Sequence, residues 1–272
     1  MIQLIDRVDI GDGICLEFVR RGRGSSDLII FLHGVTDSWR SFDSVLAALS
    51  PHIEALAVSQ RGHGDSDRPE SGYEIENMAR DVAAFMRSLG IARATIVGHS
   101  MGAIVAQRFA LEFPDMVSGL VLIGSMSNLA SNAGVQRFYE EAILPIGDDV
   151  DPELVREFQE STLARPIDPL LLDMLIAESL KVPARVWKAT FHGLKDVNFI
   201  PQLETIEVPV LILWGDLDNI AQRTEQESVT AALPNSNLLI FEGHGHAVHW
   251  EAPDLIAREI ETFFSLLRAR RS

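Results

Sequence analysis

Seven short runs rich in aliphatic residues punctuate the chain: ICLEFV after Gly13, LIIFL at 28–32, EALAV at 54–58, TIVG at 95–98, GLVLI at 119–123, VPVLILW at 208–214 and LLIF at 238–241. Most are apolar at consecutive rather than alternate positions, as parallel strands covered on both faces are. Between them, segments of helical period run over 39–49, 75–89, 101–113, 224–233 and 252–267. Strand and helix alternate, which predicts an α/β fold of βαβ units around a mostly parallel sheet with helices on both faces. The first two extended segments, up to Ile10 and from Gly13 to Val19, are parted by Gly11-Asp12-Gly13, a turn suited to a hairpin and so to an antiparallel edge.

The alternation stops between Gly124 and Val208. About eighty residues there show no strand but four helical stretches, over 135–144, 152–163, 170–180 and 183–194. A segment that leaves and re-enters between two sheet strands packs on its host more readily than it folds apart. The expected organisation is a core of residues 1–125 and 208–272, with a helical cap at 126–207. Its apolar residues, Leu170, Leu171, Leu172, Met174, Leu175, Ile176, Trp187, Phe191 and Phe199, are spaced as helix faces. Most should be packing, with a few lining a pocket.

Charge narrows the partners. The 272 residues carry 23 Lys and Arg against 39 Asp and Glu, a formal charge of −16 whose field repels phosphate backbones and anionic lipid headgroups. The one basic run, Arg268, Arg270 and Arg271, falls at the C-terminus and reads as a solubilising tail. The expected partner is therefore a small-molecule substrate, with neither nucleic acid nor membrane, and the oligomeric state stays open. Cys15 is the only cysteine, the opening MIQLIDRVDIGDG has no basic or apolar signal region, and no apolar run approaches membrane-spanning length, which together predict a cytoplasmic protein.

Candidate chemistry centres on Gly98-His99-Ser100-Met101-Gly102. This is G-x-S-x-G, following a strand and opening a helix that ends before Pro114, the context in which the pattern carries meaning. A serine held at a sharp bend leaves no room for side chains where strand and helix approach, so Gly98 and Gly102 fit. Helix N-terminal amides near Ser100 would favour an oxyanion. The alternative is a serine that only caps the helix.

With GHSMG, Leu32-His33-Gly34 before it and Gly243-His244-Gly245-His246 after it, the chain resembles the α/β-hydrolase superfamily over nearly its whole length, in the branch with a serine nucleophile and a helical cap. The resemblance implies that the amides of Val35 and Met101 form the oxyanion hole and that His33 holds its loop, with Gly34 beside it. HGVT stands where some lipases and esterases carry HGGG, which argues against that esterase branch. Arg61-Gly62-His63-Gly64-Asp65 resembles a family loop, with His63 and Asp65 as loop-forming residues. No G-x-G-x-x-G follows a strand and no Walker sequence occurs, so no cofactor is implied.

In this superfamily the triad runs Ser, then Asp or Glu, then His. By resemblance the acid is Asp218, with Asp216 a turn residue. The other family position for the acid, after the preceding strand, reads Gly124-Ser125-Met126-Ser127 and holds no carboxylate. The family pattern G-H-x-x-x-x-E-x-P selects His246 as base and leaves His244 and His249 as neighbours. Those three histidines also spell H-x-H-x-x-H, a metal-ligand reading weakened by the absence of a second ligand cluster. The expected activity is a carboxylesterase- or lactonase-like serine hydrolase acting through an acyl-enzyme on a small hydrophobic substrate. A cofactor-free haloperoxidase or perhydrolase and a C–C bond hydrolase share the machinery, and a ligand receptor shares the fold. A serine nucleophile fits poorly with the dehalogenase and epoxide hydrolase branches, which use a carboxylate.

Overall fold

In a computed structural model that describes residues 4–22 and 27–270, eight strands form one sheet. They are β1 Leu4–Asp9, β2 Cys15–Arg21, β3 Leu28–Leu32, β4 Glu54–Val58, β5 Ala94–His99, β6 Val117–Ile123, β7 Val210–Gly215 and β8 Ser236–Phe241, in the order β1-β2-β4-β3-β5-β6-β7-β8. β1 and β2 form the expected hairpin, β2 also meets β4 antiparallel, and every other pairing is parallel. Met1–Gln3, at the start of the expected hairpin, and Arg271 of the basic run lie outside the described residues.

The runs of consecutive apolar residues have a direct cause. Side chains alternate across a strand, and here both faces are roofed. Leu28, Ile30 and Leu32 of β3 enter one core, while Ile29 and Phe31 enter the other. Likewise Ile212 of β7 enters the first core, and Leu211 and Leu213 the second. The helices are α1 Asp43–Ala48, α2 Ile75–Ser88, α3 Met101–Glu112, α4 Ala133–Phe138, α5 Pro152–Ser161, α6 Pro169–Leu180, α7 Ala184–Leu194, α8 Arg223–Ala232, α9 Val248–Glu251 and α10 Pro253–Ala269. Helices α2, α3 and α8 cover the first face, and α1, α9 and α10 the second. At about 1.5–3 kcal/mol for each fully buried aliphatic side chain, this two-sided burial is the main stabilising contribution. No described helix is long and apolar enough to cross a membrane.

Between β6 and β7 the chain is helical, as its periodicity predicts. The N-termini of α5 and α6 are built alike: Asp151 and Asp168 accept from the amides of Glu153 and Leu170, and Pro152 and Pro169 take the first helical position, where no amide is needed. Helix α4 runs on into one wide π turn, Tyr139–Ile143. One expected helix is broken: 39–49 divides into a 3₁₀ turn, Trp39–Phe42, and α1. Ser38 caps the turn by accepting from the Arg40 amide, and the hydroxyl of Ser41 within it is held by Asp37.

Candidate active site

Strand β5 lies between β3 and β6, and its C-terminal end delivers Ser100. Ser100 has φ 50° and ψ −115°, a left-handed backbone rare for a side-chain-bearing residue. Its amide donates to the Ile123 carbonyl at 2.9 Å, and its carbonyl receives the first helical amides of α3. The hydroxyl makes no cap hydrogen bond, so the capping role weighed from sequence is absent. The two glycines are there for space: a Cβ on Gly98 would stand 2.3 Å from the Gly102 carbonyl oxygen, and one on Gly102 would stand 2.0 Å from that of Leu32. Strand and helix backbones touch, and the bend at Ser100 follows.

Asp218 sits in the turn after β7 and is buried. One carboxylate oxygen accepts from the amides of Ile220 and Ala221, both at 2.8 Å, and the other lies 2.8 Å from His246 Nδ1. With Nδ1 donating to the carboxylate, Nε2 of His246 is the nitrogen left to take a proton. The loop that carries His246 is fixed by Glu251, whose carboxylate accepts from the Gly245 amide and from Ala164 and Arg165 of the helical segment. Asp216 instead accepts from the Gly243 amide, which makes it the turn residue expected.

Ser100, His246, Val35 and Met101 line one cavity of about 230 Å³, together with Gly34, His99, Asp37 and Trp250. The helical segment supplies the opposite wall through Leu129, Val135, Phe138, Phe158, Gln159, Phe191 and Leu194. Of the apolar residues singled out there from sequence, only Phe191 lines the cavity. Trp187 packs behind it, and Leu170 is 78% exposed. No lysine or arginine is among the described residues that line the cavity.

The other histidines divide the structural work. His33 accepts the Gln60 amide on Nε2 and donates from Nδ1 to the Gly34 carbonyl, which holds its turn. His63 bonds the Arg61 carbonyl within its own loop, and Asp65 reaches out to Lys181 of the helical segment. His244 turns to the Glu242 carbonyl, His246 to Asp218, and His249 to Ser41 Oγ. Three rings with three separate partners do not converge on a metal. His99, an unspecified position in the G-x-S-x-G pattern, packs its ring 4.2 Å from that of His249 and bonds the His246 carbonyl. Burial holds His33, His63, His99 and His249 below the ordinary imidazole range, His63 at about 4.

Residues 27–253 match the model of the family described as alpha/beta hydrolase fold. The chain belongs to that family. Among relatives of this α/β hydrolase, the 2-(acetamidomethylene)succinate hydrolase of Mesorhizobium japonicum is 30% identical over 272 residues, covering 94% of each chain. Among solved structures, an esterase from Exiguobacterium antarcticum superposes with a TM-score of 0.87 at 22% identity, covering 96% of this chain and all of that one. An esterase from Rhodococcus sp. ECU1013 has a TM-score of 0.82 at 26% identity, covering 97% and 99%.

Asp37 is the carboxylate that reading the sequence missed. It is buried in the cavity wall, and desolvation pushes its carboxyl up to about 7, against the pull of Gln159, Ser41, His246 and the Gly34 amide. No motif flagged it, because its partners lie up to 122 residues away.

Proposed function

We propose that this α/β hydrolase is a serine hydrolase that cleaves a carboxylic ester or lactone of a small, uncharged, hydrophobic substrate. The observation that carries the reading is a strained, uncapped serine lining the same apolar cavity as a histidine whose Nδ1 is held by a buried carboxylate. Ser100 Oγ attacks the acyl carbon as His246 Nε2 takes its proton, and the Val35 and Met101 amides receive the oxyanion. Asp218 keeps the imidazole in the required tautomer. His246 then protonates the leaving alcohol, an acyl-enzyme remains, and a water activated by the same nitrogen releases the acid.

The cavity wall supports an uncharged substrate. The relative from Mesorhizobium is named for a dicarboxylate, and a buried carboxylate needs a charged or multiple hydrogen-bonding partner. Among the described residues the lining has no lysine or arginine and includes Asp37, while Phe138, Phe158, Phe191, Leu129 and Leu194 suit an acyl chain. We take the helices between β6 and β7 as the cap that supplies this wall.

A fluorophosphonate probe should label Ser100, and Ser100→Ala should lose hydrolysis of p-nitrophenyl butyrate by at least about a thousandfold while keeping its circular dichroism. Labelling at another residue, or an active Ser100→Ala protein, overturns the reading.

A further inference from the structure

The turn that carries Val35 is held from the cap. Thr36, the next residue, has φ 68°, a backbone that β-branched side chains rarely adopt, so something outside the turn must fix it. Thr36 Oγ1 shares a 3.1 Å hydrogen bond with Ser179 Oγ of α6. Asp37 follows, and one of its carboxylate oxygens accepts from Gln159 Nε2 of α5 at 3.0 Å, while the other accepts from Ser41 Oγ at 3.1 Å. The Asp37 amide donates to the Gly34 carbonyl at 3.3 Å, which closes the turn on itself. Gln159 uses the same amide nitrogen to reach Ser179 Oγ at 2.6 Å, so the two cap helices and the turn form one network. Asp37, Gln159, Thr36 and Ser179 are each no more than 2% exposed, so water does not compete for these bonds.

We propose that Asp37 is a positioning residue: through Gly34 and Gln159 it ties the Val35 turn to the cap, so that the Val35 amide is aimed at the reacting carbonyl only while α5 and α6 are seated. This rests on the reading of Ser100 and Val35 given above. Both side chains bonded to Asp37 donate, which its ionised form, favoured above about pH 7, satisfies and an amide does not. In Asp37→Asn the side-chain NH2 must face Gln159 or Ser41, so one of the two bonds that anchor the turn is lost with almost no change of volume. The oxyanion forms in the transition state, so the loss should fall on kcat rather than KM.

The test uses p-nitrophenyl butyrate with the wild type, Asp37→Asn, Gln159→Met and the double variant, each checked for fold by circular dichroism, with Ser100→Ala in parallel. Asp37→Asn and Gln159→Met should each lower kcat by about ten- to a hundredfold with KM within threefold, and the double variant should lose little more than the worse single one. Phenylboronic acid forms a tetrahedral adduct on the serine, and its affinity should weaken by the same factor as kcat. A kcat within twofold of wild type in both single variants, a loss carried by KM alone, or additive losses overturn the proposal. If Asp37→Asn does not fold, Gln159→Met alone decides by the same kcat and boronic acid readings. An active Ser100→Ala protein sinks the serine mechanism itself, whereas an inactive one beside a fully active Asp37→Asn sinks only the positioning role.

Discussion

Asp218 receives two backbone amides on one oxygen and His246 on the other, yet it does not line the cavity. An asparagine there keeps an oxygen for Ile220 and Ala221 but turns an NH2 toward Nδ1, which forces the imidazole into the tautomer with its proton on Nε2 and so unable to accept one from Ser100. Asp218→Asn should therefore lower kcat by roughly 10³- to 10⁴-fold with KM changed only a few fold. Steady-state kinetics that found kcat within tenfold of wild type would rule out Asp218 as the acid. At this scale the sequence spoke unevenly. Ser100, Asp218 and His246 lie at fixed offsets from glycines that the backbone itself requires, so pattern reaches them. Asp37 and His99 stand beside those motifs, but their contacts are made across the fold, His99 with the loop after β8 and Asp37 with α5, and no spacing along the chain marks them.

The inner strands were legible as elements because they face two cores and show it as largely apolar runs, with ends displaced by at most two residues, whereas β1, exposed along most of its length, was placed by the turn that follows it. The helices between β6 and β7 were legible in place but not in orientation. Helix α6 carries Leu170, Leu171, Leu172, Leu175, Ile176 and Leu180 nearly all round, so its sequence cannot say which side is buried. The structure seats Leu175 and Ile176 inward and leaves Leu170 and Leu180 exposed. The wall of the cavity comes mainly from neighbouring elements. Phe158 of α5 stacks on Phe138 at 5.4 Å and meets Trp187 edge-on at 5.7 Å, and it lines the cavity. Phe158→Ala should lengthen the space for an acyl chain. Across p-nitrophenyl esters from acetate to decanoate, the ratio of kcat/KM for octanoate over butyrate should rise about tenfold. An unchanged chain-length profile would place the acyl group elsewhere.

Over the whole molecule, the active-site end of the sheet stores a pH dependence of stability. His33, His63, His99 and His249 are each no more than 2% exposed or fully buried and held below the ordinary imidazole range by desolvation. In the unfolded chain they bind protons below about pH 6.5, whereas the folded protein keeps them neutral, His63 down to about 4. Their contribution is therefore complete above pH 6.5 and is lost as the pH falls. Asp37 works in the opposite sense: pushed up to about 7, it stays protonated in the fold while the unfolded chain ionises above about 3.8, so it favours the fold on the acid side. Burial raises the carboxyls of Asp81 and Glu225 in the same sense as Asp37, but each group changes stability by at most about 1.4 kcal/mol per pH unit, and four imidazoles outweigh three carboxyls. The urea midpoint should consequently drop steadily between pH 7 and pH 5, with the slope of the unfolding transition unchanged. A midpoint that held or rose over that interval would mean that the histidines take up protons inside the fold, and the dry, close-packed layer around His99 and His249 would have to be abandoned.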